Sequence, residues 1–390
     1  NYNRNTYSKM ISYKKLPIWK NVQHSPGIID FTDFSLDWNC RGFIQQRASG
    51  EALKRVCNAY AKDGYHFITQ PPGASSWANR LGDEYIDFIK EACGSLQNSI
   101  VLEIGAGSLY VAERLTDETG IDEYMIMDPA VKDTTKNSKI SVYPEYFENA
   151  SGIDKNVNVV ICLNCLEHVQ DPFVFLCHIR NLLKLSNGKA VFVLPDIKQQ
   201  FDDGDFNAII HEHLNYFTEN TATHLLNSCG LKVLVCKTGF DTLRFLVEPC
   251  EGEYVDDKPN VKLSRGIFTK VARLFNLNLE KFRNYHFKCL SLNKTVAFYG
   301  ANNGLNNIIA LANLPHTSNI WIFDNDEAKT AKYLPACQNA IRHSTDAYCA
   351  SMSDIFIATN TFFEEAKTFL ESYHGFDTSH IHRVFPFEKD

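Results

Sequence analysis

From Ser99 onward, short apolar runs alternate with amphipathic segments, and this rhythm constrains the fold of the 390-residue chain more than any other feature. The runs "SIVLEI", "EYMIMD", "VNVVICL" and "KAVFVLP" are too short for helices and lack the polar–apolar alternation of half-exposed strands. Near-continuous apolarity over so few residues suits parallel strands buried on both faces. "LYVAERLTDE" and "DPFVFLCHIRNLLK" have the spacing and length of crossover helices, and "LKVLVCKT" with "DTLRFLVEP" reads as a terminal hairpin. The succession predicts an α/β fold with an open, doubly wound sheet over residues 96–250.

Around that sheet the chain divides into three further regions. Residues 251–292 are polar, then basic and amphipathic, and read as a helical connector. Residues 293–390 restart the strand–helix rhythm at "KTVAFYGANNGLNNIIALANL" and predict a second, smaller Rossmann-like unit. Residues 1–95 carry turn clusters and one helix, "SGEALKRVCNAYAKD", with Ser49 as its N-cap. The stretch "GYHFITQPPGASSW" suits either a lid over a ligand or an interdomain turn.

Bulk properties exclude several classes of partner. A net charge of −7 without any block of Lys and Arg gives no footprint for nucleic acid. No apolar run approaches the roughly 18 residues of a membrane span, and the opening "NYNRNTYSKM" lacks an apolar signal core. Twelve cysteines scattered singly fit reduced thiols and a cytoplasmic setting.

The strongest local signal is "VLEIGAGSLYVAERL". A strand ends at Ile104, Gly105 and Gly107 permit a tight turn with close backbone approach to a ligand, and a helix follows at once. The next strand ends in Asp128, placed to accept hydrogen bonds from ribose hydroxyls. Tyr110 stands where a dinucleotide fingerprint would have its third glycine, which points away from NAD. Together "VLEIGAG", "MIMDP" and "VVICLNCLEHVQDP" resemble the strand motifs of class I S-adenosylmethionine-dependent methyltransferases. The resemblance implies that Glu103, Gly105 and Gly107 hold the amino-acid end of the cofactor, that Asp128 holds its ribose, and that Asn164 to Glu167 lie along it. A nucleotide-binding sheet of another class is the other reading.

Two stretches raise the question of metal. "CLNCLEH" sets Cys162, Cys165 and His168 at C-x2-C-x2-H spacing, but no second ligand pair follows, and Cys162 falls in a buried strand. "FNAIIHEHLNYFT" would place His211 and His213 on one face of a strand, again without a third partner at a telling spacing. No metal is expected at either. That leaves hydrogen-bonded core histidines or acid–base catalysis for the second stretch.

Following "VLP" and preceding "LLNSCGLKV", the stretch "FNAIIHEHLNYFT" resembles the signature of sugar C-methyltransferases that act on nucleotide-linked 4-keto-deoxysugars. "VAFYGANNGLNNIIALANL", "IFDNDEAKTAKYLP" and "RVFPF" resemble the second domain of that family, so the likeness covers roughly residues 65–390. It implies His213 as base, Glu212 as its assistant and His211 as secondary or structural. Carbon becomes a nucleophile only when a proton beside a carbonyl is removed, and a histidine suits that task near neutral pH.

Three departures accompany the resemblance. Ile210 stands where the family often has a tyrosine, leaving Tyr216 or Tyr65 to supply a phenol. Asn303 stands near the place of a lysine in the second glycine loop, leaving the backbone at Gly300 and Gly304, with Asp324 beyond, to receive a nucleotide-sugar handle. The paired C-x2-C motifs of the family's N-terminal zinc domain are missing from residues 1–95. The resulting expectation is an S-adenosylmethionine-dependent C-methyltransferase acting on a nucleotide sugar. The alternatives are a heteroatom methyltransferase and a non-catalytic binding protein.

Overall fold

A computed structural model describes residues 11–26, 30–63, 71–74, 76–149, 153, 156–239, 241–250, 261–314 and 317–389. The chain forms two compact units that interleave in sequence: residues 1–37, 198–211 and 262–390 make one, and residues 38–197 and 212–261 make the other.

The second of these contains the long sheet. Its seven strands run in the spatial order Leu231–Gly239, Thr242–Pro249, Lys189–Pro195, Val159–Leu163, Ile100–Ile104, Glu123–Met127 and Ile140–Tyr143. Numbered along the chain and read from the Ile140–Tyr143 edge, this is 3-2-1-4-5-7-6. The first five strands in chain order are parallel, and Thr242–Pro249 pairs antiparallel with both its neighbours. The four apolar runs and the terminal hairpin therefore form strands as the sequence predicts.

Both faces of the sheet are covered, which explains the unbroken apolarity of its strands. Leu102, Ile104, Met125, Val160 and Phe192 point to one face, where they meet Phe175, Ile179 and Leu183 of the Pro172–Lys184 helix. Val101, Tyr124, Ile126, Ile161 and Val193 point to the other, against Ile86 and Ile89 of the Ser76–Cys93 helix and Leu115 of the Tyr110–Thr119 helix. Fully burying one such side chain is worth ~1.5–3 kcal/mol, so the two layers fix which residues reach the sheet's carboxyl edge. Asp171 caps the Pro172–Lys184 helix by accepting from the backbone of Phe173 and Val174. Ser49 caps the Gly50–Asp63 helix through Ala52 N at 3.1 Å.

The other unit holds a five-stranded, all-parallel sheet: Arg342–His343, Ile320–Asp324, Val296–Tyr299, Ile355–Ile357 and Ile381–Arg383. Its order along the chain is 3-2-1-4-5. Three of these strands, with two, three and three residues, are too short to leave a period in the sequence. A helix over Val261–Ser291 turns Phe275, Asn278 and Phe282 inward at i, i+3 and i+7. Residues Ile11–Pro17 pair antiparallel with Phe31–Trp38, an arrangement that the turn-rich N-terminal sequence did not predict. Lys198–His211 also belongs here: Phe206 is fully buried, with its ring centroid 5.1 Å from that of Phe275.

Candidate active site

The glycine turn forms where the Ile100–Ile104 strand meets the Tyr110–Thr119 helix. Gly105 and Gly107 have φ of 72° and 67°, in the left-handed region that disfavours a side chain. A Cβ on Gly105 would lie 2.7 Å from the Cys165 sulfur, so the turn needs glycine for space as well as for conformation. Asp128, fully buried, braces the turn from the next strand: its oxygens accept from Gly107 N at 2.9 Å, Ala130 N at 2.7 Å and the Tyr60 hydroxyl at 2.8 Å.

Beside this corner lies a cavity lined by Pro71, Pro72, Tyr85, Gly105, Gly107 and Asn164 among others. Asn164 is left-handed at φ 48°, anchored by its N–H to Val193 O at 2.8 Å, and donates from its amide to the Tyr85 hydroxyl at 3.2 Å. Glu103 sits inside the sheet, fully buried, and accepts from the Tyr124 hydroxyl at 2.8 Å. Burial pushes its carboxyl up to about 8, against the lowering effect of that hydrogen bond.

Glu103 thus braces the strand behind the turn, while Gly105, Gly107 and Asn164 line the cavity. Tyr60 and Tyr85 were not anticipated. Tyr65 and most of the candidate lid lie outside the described residues.

Residues 76–235, which hold this corner, match the family model described as a methyltransferase domain. The matched segment is a methyltransferase domain. Its cofactor is S-adenosylmethionine. A search of the curated proteins finds no match to the chain.

Among solved structures, a chain of the complex between the Haloferax volcanii Trm112 methyltransferase activator and a methyltransferase is similar at 16% identity and a TM-score of 0.40, over 50% of this chain and 97% of that one. Burkholderia thailandensis 1,6-didemethyltoxoflavin-N1-methyltransferase is similar at 12% identity and a TM-score of 0.40, over 56% of this chain and 96% of that one. An S-adenosylmethionine-dependent methyltransferase from Aquifex aeolicus shares 13% identity at a TM-score of 0.36, over 52% and 100%. No described helix is long and apolar enough to cross a membrane.

Within the methyltransferase unit, a second cluster follows the turn after Val159–Leu163. The His168 ring hydrogen-bonds through Nδ1 to the Glu212 carbonyl at 2.9 Å, and it also faces the backbone of Asn164, which lines the cavity beside the glycine turn. Its Nε2 lies 3.7 Å from Glu167 Oε1, and its ring centroid 5.0 Å from that of His213. Glu167 is 1% exposed, and neither of its oxygens has a hydrogen-bond partner.

The backbone holds the group in place: Leu214 N donates to Glu167 O at 2.8 Å, and the Asn215 amide donates to Val169 O at 2.6 Å. Tyr216, buried, sets its ring centroid 6.1 Å from that of His213. Glu167 and His168 were not expected in a catalytic role.

Burial governs the charge state here. It pushes the Glu167 carboxyl up to about 8 and Glu212, with help from Glu167, well above the usual carboxylate range. It holds the His213 imidazole well below its ordinary value, and His168 adds to that. The shifts of Glu167, His168, Glu212 and His213 all favour the uncharged form of the group, imidazole or carboxyl.

His211 does not join His213. The segment is not a strand: residues 206–208 form a short 3-10 turn, residues 211 and 212 a further turn, and pairing begins only at Asn215. The shared face expected for the two histidines is absent because that expectation needed extended backbone between them. His211 is 3% exposed, with Nε2 3.2 Å from the Leu16 carbonyl and its ring against Phe34.

The glycine turn of the other unit is closed by its own side chains. Gly304 N donates to the Asn207 amide oxygen at 2.8 Å, and Leu305 N to that of Asn302 at 2.9 Å. The Asn303 and Asn307 amides both donate to the Ile209 carbonyl, at 3.1 and 2.7 Å. Asp324 accepts from Ala301 N at 2.7 Å and from the Lys329 ammonium at 3.0 Å. Gly300 retains a left-handed φ of 101°. Asn303, Gly304 and Asp324, expected to receive a nucleotide handle, thus spend their hydrogen bonds within the unit, because buried amides and N–H groups take the nearest available partners.

Proposed function

We propose that the protein is a C-methyltransferase acting on a nucleotide-linked keto-deoxysugar, with His213 as the base. The observation that carries this reading is the His213–His168–Glu167–Glu212 cluster placed beside Asn164 of the cofactor cavity. A neutral imidazole has a lone pair free to remove the proton next to a ketone, giving an enolate whose carbon attacks the methyl of the sulfonium in line. S-adenosylmethionine supplies that methyl, and methyl transfer releases S-adenosylhomocysteine.

A base held well below its ordinary pKa is a weak one, so the step needs a donor at the carbonyl oxygen. Ile210, buried, offers none. The protonated Glu212 carboxyl fills that role, as a buried neutral acid can donate to an enolate oxygen, and Tyr216 beside His213 shapes the pocket. On this reading the C-terminal sheet is a second Rossmann-like domain that supports residues 206–209, and the nucleotide is held elsewhere.

Purified protein with methyl-labelled S-adenosylmethionine and a panel of nucleotide-linked 4-keto-deoxysugars tests the reading. Label on a sugar carbon, lost in His213→Ala with S-adenosylhomocysteine affinity unchanged, supports it. Label on an oxygen or nitrogen of another acceptor, retained in His213→Ala, overturns it in favour of a heteroatom methyltransferase.

A further inference from the structure

Two sequence stretches that each fall short of a metal site are brought together in the fold. Glu167 and His168 come from "CLNCLEH" and His213 from "HEH". One ligand atom from each lies within 4.8 Å of the other two. Three features go beyond mere proximity. Glu167 is buried to 1% exposure with both oxygens unpartnered, leaving acceptor capacity that no protein donor uses. The His168 Nδ1 is hydrogen-bonded to the Glu212 carbonyl at 2.9 Å, the outer contact that typically fixes a ligating ring and frees Nε2 for the ion. His168 and His213 are partly exposed where Glu167 is buried, so the histidine side of the cluster is the side an ion could approach.

We propose that Glu167, His168 and His213 form a binding site for a divalent transition-metal ion of the zinc or cobalt type. Two imidazole nitrogens and one carboxylate oxygen suit such an ion, and bonds of ~2.0–2.2 Å require the three side chains to draw inward by small rotamer changes. Binding takes the His213 lone pair. If His213 is the base, as the proposed function holds, the ion is an inhibitor, and that consequence alone rests on the proposed function.

The test uses the full chain, stripped with a chelator and titrated with Co2+, read by visible absorption and by calorimetry. The expected result is one Co2+ per chain, with a spectrum lacking the intense thiolate-to-cobalt band. Affinity should fall at least tenfold in Glu167→Gln and in His168→Gln while S-adenosylhomocysteine still binds both variants. A thiolate band, unchanged affinity in both variants, or no uptake of Co2+ overturns the site. Sugar labelling measured without metal separates the two failures: turnover without Co2+ uptake sinks this site alone, and Co2+ uptake without labelling sinks the base reading alone.

Discussion

The seven-stranded and the five-stranded sheet each have a glycine turn after the first strand in chain order and an aspartate at the end of the second, and the two corners have opposite fates. Asp128 accepts from Gly107 N and from Ala130 N two residues on; Asp324 accepts from Ala301 N and from Asp326 N two residues on. The bracing is the same in kind. In the first corner the turn lines a cavity, whereas in the second the helix start is filled by the Asn207 and Asn302 amides. Two residues before the first glycine of each turn stand Glu103 and Phe298, both fully buried. A parallel sheet therefore creates a place for an anion or a ribose, and a few side chains decide whether a ligand or the protein occupies it.

The largest expected effect separates the corners by affinity. Asp128→Ala should weaken S-adenosylhomocysteine binding by about 100-fold or more, since charge-assisted hydrogen bonds contribute ~1.5–3 kcal/mol each. Asp324→Ala should leave that affinity unchanged, as isothermal titration would show; equal losses in both would erase the contrast. Next comes Gly304→Ala, whose Cβ would meet Asn207 Cγ at 2.5 Å and Asn207 N at 2.7 Å. It should cost about 1–3 kcal/mol in denaturant unfolding with cofactor affinity intact. A fully stable variant would mean that the amide plug is loose.

Glu103 gives the first corner a pH dependence that Phe298 denies the second. Its folded carboxyl is raised to about 8 from an ordinary 4.5, so the folded state keeps a proton that the unfolded chain releases. The stabilisation is complete below the ordinary value and is lost as pH rises through about 8. Between pH 5 and 8 wild type should lose stability relative to Glu103→Gln by on the order of 1 kcal/mol, after local relaxation is allowed for. Parallel pH profiles of melting temperature for the two proteins would place the proton elsewhere.

The first corner was legible in the sequence because its parts are local: a strand, two glycines, a helix, and an aspartate at the end of the very next strand. The second was misleading for the same reason, since "GANNG" shows the turn but not what fills it. Asn207 lies almost a hundred residues before Gly304, and no spacing rule links them. A usable signal was present in Asn303, Asn306 and Asn307, three amides within little more than one turn of a largely apolar helix, because buried amides need partners. His168 and His213 were visible only as members of separate motifs, and the backbone bonds that unite them run between distant segments. The shared face expected for His211 and His213 failed on local conformation, because residues 211 and 212 form a turn rather than a strand.

The smallest expected effect concerns Tyr60, whose hydroxyl donates to Asp128 Oδ2 at 2.8 Å. A carboxylate has about four acceptor positions, and Gly107 N, Ala130 N and Tyr60 already take three. Two neighbouring ribose hydroxyls need two positions, so one protein donor must yield. The backbone donors are fixed by the turn, which leaves the Tyr60 phenol as the exchangeable group. Tyr60→Phe should then lower the stability of the ligand-free protein by about 0.5–1.5 kcal/mol and raise S-adenosylhomocysteine affinity by the matching ~2- to 10-fold. A fall in affinity would show instead that Tyr60 stays in place and binds the cofactor, making the Gly50–Asp63 helix part of the first corner's wall. At the second corner the Lys329 ammonium holds the corresponding place on Asp324 at 3.0 Å, but the turn itself is filled by Asn207 and Asn302, which bond to its backbone.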